Sequence, residues 1–340
     1  FDLARDIPLR ATVLRLGEGE YWLHFTWHHI ASDDTSQAVL LKELSALYSA
    51  LTQGSPSPLT PLPIQYGDYA YWQRQQLTET VLSADLAYWR RQLAHLPPKL
   101  ALPFRNADRE NSTSLGQAIR VPFTLDSALA TGLKALSRQH RITLFTTLLT
   151  AFNVLLYRYS GQTDIVVGIP FSDRIVPEVQ PLLGVFTNTL VLRADLTDAP
   201  RFTTLLTQVN AALLAAREHQ ALPYAQLVTA LREDSTWSPG WDGSTPHSDL
   251  FQVLFDFQSV PLPQIELPDL TVSPLENGLR CPLVDLTLHL EDNADGLSGY
   301  VIGADTRFEV ETLQQMVGHW QTLLMGIMAG PAQTLSLIPI

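Results

Sequence analysis

The sequence contains a single cysteine, Cys281, in 340 residues. One thiol excludes an internal disulfide framework and leaves too few thiolates for a cysteine-based zinc site. A reducing, cytoplasmic setting fits that usage. Basic residues are also scarce, with 22 Lys and Arg against 34 Asp and Glu, a formal net charge of −12. No basic stripe can form to neutralise phosphates, so nucleic acid is excluded as the expected partner. Long apolar runs are missing too. Polar residues interrupt the apolar helices before they reach membrane-spanning length, so no membrane association is expected. No glycine loop of the phosphate-cradling kind occurs, nor any solenoid-type repeat. The chain opens at Phe1-Asp2-Leu3 without an initiator Met or a basic signal-like region, and reads as a piece of something longer.

What remains is a globular composition, 46% hydrophobic and 16% charged, with aromatics throughout. The length suffices for one large domain or two lobes with real cores. Residues 9–16 and 21–29 alternate around Gly17-Glu18-Gly19-Glu20 and read as a hairpin. Helical spacing follows from Val39 to Leu51, with Gly54 ending the helix. The proline-rich stretch 55–64 is an extended connector. Helices are expected over 66–76, 83–96, 126–139, 143–159, 201–218 and 310–328. Strands are expected over 117–125, 164–170, 187–194, 251–258, 284–291 and 297–304. The segment 100–116 reads as a crossover and 235–248 as a loop. Irregular alternation of helices and strands points to α/β (α+β) sandwiches rather than a barrel.

The chemistry concentrates in His28-His29-Ile30-Ala31-Ser32-Asp33-Asp34. It puts an imidazole where a strand gives way to a helix. Imidazole is the side chain best suited to move protons near neutral pH. Strand alternation places His29 at the end of the apolar row Leu23, Phe25 and Trp27, and His28 on the opposite face. His29 is therefore the candidate catalytic residue and His28 a supporting one. The commonplace alternative for His29 is a core histidine with both nitrogens satisfied. Asp33 can cap the next helix or pair with a buried arginine. Arg174 is the candidate cation, and such a pair would fix the turn that aims His29. His24 and His28 lie on the order of 13 Å apart along a strand, too far to share a metal ion. Ser32 lacks the glycine-flanked elbow of a hydrolase nucleophile.

Four later segments follow the heptad in order. They are Gln65-Tyr66-Gly67-Asp68-Tyr69-Ala70-Tyr71-Trp72-Gln73, the run from Leu183-Gly184-Val185-Phe186-Thr187-Asn188 to Arg193, His219-Gln220-Ala221-Leu222-Pro223-Tyr224-Ala225-Gln226-Leu227-Val228, and Ser248-Asp249-Leu250-Phe251-Gln252-Val253-Leu254-Phe255. The ordered set resembles the core motifs of condensation domains of nonribosomal peptide synthetases. The resemblance implies an acyltransferase-type enzyme of two chloramphenicol-acetyltransferase-like lobes in a V. Residues 1–100 would form an incomplete N-terminal lobe and 101–340 the C-terminal lobe. It implies amide formation between an upstream carrier-bound acyl or peptidyl thioester and the amine of a downstream carrier-bound aminoacyl thioester. His29 would orient or deprotonate that amine. It also implies that Gly184, Thr187 and Asn188 line a substrate tunnel, and that an adenylation domain adjoins. No cofactor or metal would be bound, since the carriers bring 4′-phosphopantetheine. The family pattern ends in Asp-Gly, whereas this chain has Asp33-Asp34. Glycine permits positive φ, and aspartate adds bulk and charge. The oxygenase-recruiting relatives of glycopeptide assembly lines also carry Asp-Asp, so a catalytically silent recruitment module is one alternative. The epimerising relative, which shares the heptad, is another.

Overall fold

A computed structural model describes all residues except 106–115, 175, 234–249, 260–262, 264, 276–281 and 294–295. The expected loop 235–248, most of the crossover 100–116, and Ser248 and Asp249 of the last motif lie outside the described residues. The chain divides into two compact units. The first comprises Phe1–Thr78, Ser172–Thr187 and Leu262–Leu275, and the second comprises Glu79–Phe171, Asn188–Pro261 and Glu276–Ile340.

In the first unit, β1 (Leu9–Gly17) and β2 (Glu20–Trp27) pair antiparallel, from Leu9 opposite Trp27 to Gly17 opposite Glu20. Gly19 supplies the positive φ that this tight reversal requires. α1 (Asp34–Thr52) and α2 (Tyr66–Gln76) follow, joined by the extended connector. Gln65 and Asp68 form a reciprocal capping box that starts α2. The apolar core of this unit is small: Tyr69, Val179, Leu182 and Phe186, flanked by Ile64, Tyr66 and Val176.

The second unit carries a six-stranded mixed sheet in the order β3-β8-β7-β6-β4-β5. Its strands are β3 (Ala118–Thr124), β4 (Asp164–Ser172), β5 (Thr187–Asp195), β6 (Val253–Gln258), β7 (Leu286–Asn293) and β8 (Gly296–Ala304). The helices are α3 (Glu79–Gln92), α4 (Ser127–Gln139), α5 (Leu144–Ser160), α6 (Phe202–Glu218), α7 (Tyr224–Arg232) and α8 (Val310–Ala329). Alternation along β7 turns Leu286, Leu288 and Leu290 into the core. Phe255 of β6, Phe152 of α5 and Trp320 of α8 meet there, ring against ring. Each such buried side chain stabilises by roughly 1.5–3 kcal/mol, so this apolar layer carries most of the unit's stability. Among the described residues no single helix is long and apolar enough to cross a membrane.

The elements match the α/β sandwich expected, with two differences in the helices. The first stretch of the first compact unit ends at Thr78. α3 belongs with the second unit because its Tyr88 and Trp89 are buried in that unit's core, together with Leu93. α3 itself starts and ends four residues earlier than the periodicity predicts. It stops at Gln92, and His95 then takes a left-handed backbone (φ 53°). α7 (nine residues) follows Pro223 where no helix was expected, although Tyr224, Leu227, Val228 and Leu231 recur at helical spacing.

Candidate active site

The heptad is not a strand end. β2 stops at Trp27, and His29–Ala31 form a 3-10 turn capped by His28. Strand alternation therefore does not set the directions of the two histidines, as the sequence had suggested. Hydrogen bonds set them. His28 Nδ1 accepts from the Ile30 amide at 3.0 Å, so its proton resides on Nε2 and the ring is a local cap. Phe1 lies edge-on against that ring. His29 Nδ1 lies 2.7 Å from the Ser32 carbonyl oxygen. A carbonyl only accepts, so Nδ1 carries a proton, and in the neutral ring Nε2 is the nitrogen left with the lone pair. His29 is exposed, and no other hydrogen bond ties its ring to the described residues. Two adjacent histidines thus take opposite tautomers. Only His29 presents a basic nitrogen away from its own backbone. Ser32 contributes its carbonyl, not its hydroxyl.

The turn is held by a buried ionic network. Asp33 caps α1, and its Oδ1 accepts from the Ser36 amide (2.8 Å), the Ser36 hydroxyl (2.7 Å) and Arg174 Nη2 (3.0 Å). Its Oδ2 accepts from the Phe186 amide at 3.0 Å. The cap and the arginine pair, alternatives at the level of sequence, are both present. The Asp33 and Arg174 side chains are 2% and 6% exposed, so neither charge is screened by water. Burial pushes the Asp33 carboxyl up. The Phe186 amide, the guanidinium and the Ser36 donors outweigh that and hold it below the usual carboxylate range.

Arg174 is also held from its other side by backbone, although its buried Nε has no partner among the described residues. Its Nη1 donates to the carbonyls of Val179, Gln180 and Leu182 at 2.7, 3.2 and 2.9 Å. Its guanidinium lies 4.0 Å from the Phe186 ring centroid. The Ser36 hydroxyl, which accepts from Arg174 and from the Gly184 amide, has one proton to share between Asp33 and the Gly184 carbonyl. Gly184 is required for close approach, because any Cβ there would enter the Tyr66 ring. Tyr66 in turn donates to the Val185 carbonyl at 2.9 Å. Asp173 completes the floor of this small core by accepting from Tyr69 at 3.1 Å, and burial raises its carboxyl.

Of the residues singled out from the sequence, His28, His29, Asp33, Arg174 and Gly184 come together in the first unit. Thr187 opens β5, and Asn188 belongs to the second unit. The Asn188 amide is fully spent there. Nδ2 donates to the Gln220 and Leu222 carbonyls, both at 2.9 Å, and Oδ1 accepts from the Thr189 and Tyr224 amides. Four bonds exhaust its capacity, so it pins the turn that leads into α7. Asp34 occupies the first turn of α1 and does not have a positive φ. The backbone there needs no glycine, and a carboxylate at a helix N-terminus is favourable. Ser36 was readable from the sequence only as one of several possible helix caps, and Tyr66 and Phe186 lie in the quoted motifs with no site role assigned to them.

The condensation domain family model matches residues 1–340. The chain is 38% identical to a linear gramicidin synthase polypeptide of Brevibacillus parabrevis, over all of this chain and 6% of that protein. It is 37% identical to malpinin synthetase of Mortierella alpina, over 96% of this chain and 4% of that protein. It thus spans only a few per cent of the length of the curated relatives it matches. Among solved structures, the X-domain from teicoplanin biosynthesis has a TM-score of 0.86 at 26% identity, covering 100% of this chain and 76% of that one. The same X-domain in complex with OxyB gives 0.84 at 26% identity, covering 99% and 74%. The condensation domain of the monacolin K polyketide synthase MokA shares the fold, with a TM-score of 0.80 at 21% identity over 96% of this chain and 74% of that one. The heptad, the clamp around it and the match along the whole chain place this protein in the condensation domain family.

Proposed function

We propose that the chain forms an amide bond between a carrier-bound acyl or peptidyl thioester and the amine of a second carrier-bound aminoacyl thioester. The observation that carries this reading is the His29 tautomer: Nδ1–H is fixed on the Ser32 carbonyl and Nε2 is an open acceptor. The amine nitrogen attacks the thioester carbonyl carbon. Nε2 accepts the amine proton, or orients the amine through it, as the new C–N bond forms. The C–S bond then breaks, and the proton passes to the departing thiolate. Positioning of two tethered substrates supplies a large share of the rate, and general-base assistance adds about 10²–10⁴-fold. Phosphopantetheine arrives on the carriers, so the chain needs no bound cofactor of its own. An adjacent adenylation domain would load the acceptor carrier, in the cytoplasm.

The test is a reconstituted assay with donor and acceptor thioesters loaded on carrier domains. The amide product on the acceptor carrier, read by mass, is the expected result. Absence of product with competent carriers would overturn the reading. A second reading, a catalytically silent recruitment module, draws support from Asp34 and from the likeness to an X-domain solved with OxyB. It requires tight binding of a tailoring oxygenase together with no amide product in the same preparation.

A further inference from the structure

His289, on β7, is an imidazole that the reaction above does not use. It is 7% exposed. It faces away from the apolar layer, on the side of the sheet shared by Asp256, Glu291, Tyr300 and Arg120. The register puts Asp256 of β6 directly opposite it and Tyr300 of β8 on its other flank. Its Nδ1 lies 2.7 Å from Asp256 Oδ2, and its Nε2 lies 3.1 Å from Glu291 Oε1. Ionised carboxylates only accept, so both ring nitrogens must donate, and an imidazole with two N–H groups is a cation. Tyr300 stacks on the ring at 4.4 Å and 14°, and the Arg120 guanidinium covers the far face of Tyr300 at 3.9 Å. Burial pushes the imidazole down. Asp256 and then Glu291 outweigh it and hold the ring above its ordinary value.

We propose that His289 is a proton-held clasp: as imidazolium it ties β6 to β7 through Asp256 and neutralises Glu291, and losing its proton releases one carboxylate and loosens that parallel pair. A neutral ring can donate to only one of the two acceptors. The other is left half-buried beside a lone pair, which is unfavourable. The sign follows from linkage. A group whose folded value is raised adds stability that is fully present below the unfolded value. That stability is lost as pH rises through the folded value. The sheet is therefore tightest at neutral and mildly acidic pH and loosens on the alkaline side.

The test pairs nitrogen NMR of histidine-labelled chain with thermal melts of the wild type and His289→Gln. At about pH 7, above the ordinary imidazole value, both His289 ring nitrogens should show the protonated signature. The gap in melting midpoint between wild type and His289→Gln should be widest near pH 6 and should shrink as pH rises toward about 10. A ring nitrogen with the unprotonated signature at pH 7, or a gap that stays constant over this range, overturns the proposal. Should His289→Gln fail to fold, the wild-type titration decides alone, with Asp256→Asn to identify the signal by its shift.

Discussion

His29 and His289 are each held at Nδ1 by a hydrogen bond of 2.7 Å, and the likeness stops there. The partner of His29 is a backbone carbonyl and its Nε2 stays open. The partners of His289 are two carboxylates, and both of its nitrogens are occupied. The first arrangement leaves one ring nitrogen open, so the neutral ring has a usable lone pair. The second yields a buried cation with nothing left to offer. Their surroundings differ in the same way. A network of charge and backbone donors holds the 28–36 turn in a unit whose apolar core is four side chains. The β6–β7 pair rests on a broad layer of leucine and phenylalanine. A histidine's partners, more than its burial, separate a chemical role from a structural one.

The sharpest way to break this contrast is to remove the holder of the turn. Asp33→Ala leaves Arg174 buried and unpaired and should destabilise the first unit by about 3–5 kcal/mol, read by chemical denaturation, with amide formation lost as well. Asp33→Asn is gentler and tests the pH sign. A carboxyl held low in the folded state adds stability above about pH 4 that vanishes as pH falls through its folded value. The asparagine variant should lose that acid-side slope. Next in size is Asn188→Ala, which strands two carbonyls and two amides and should cost about 1–3 kcal/mol. If activity fell while stability held, Asn188 would touch substrate as well as the turn. Gly184→Ala forces the Tyr66 ring aside, at about 1–3 kcal/mol for overpacking. The smallest effect is Asp34→Gly. It removes a favourable helix-terminal charge and should change stability by less than about 1 kcal/mol. Amide formation should stay level or rise.

The fold was largely legible because its elements are periodic. α2 falls at 66–76 as its spacing predicts, and strands β6 to β8 lie within a few residues of the expected bounds. What was not legible depends on side chains bonding backbone. The alternation through His29 suggested a continuing strand, yet His28 Nδ1 captures the Ile30 amide and folds the chain into a turn. What distinguishes His29 from His28 is then a tautomer rather than a strand face. Asp33–Arg174 was readable as a charge pair. The three carbonyls around Arg174 were not, because backbone acceptors supplied by the irregular stretch that carries Val179 and Leu182 leave no mark in the side-chain pattern. His289 and Asp256 sit in ordinary strand patterns, and only the register makes them neighbours.

The most direct measurement is single-turnover amide formation by His29→Ala with carrier-loaded donor and acceptor, alongside its melting midpoint. A drop of at least about 100-fold in rate with an unchanged midpoint is expected, because His29 contributes a proton acceptor and its ring is exposed. A rate close to wild type would contradict the assignment of His29 Nε2 to the attacking amine.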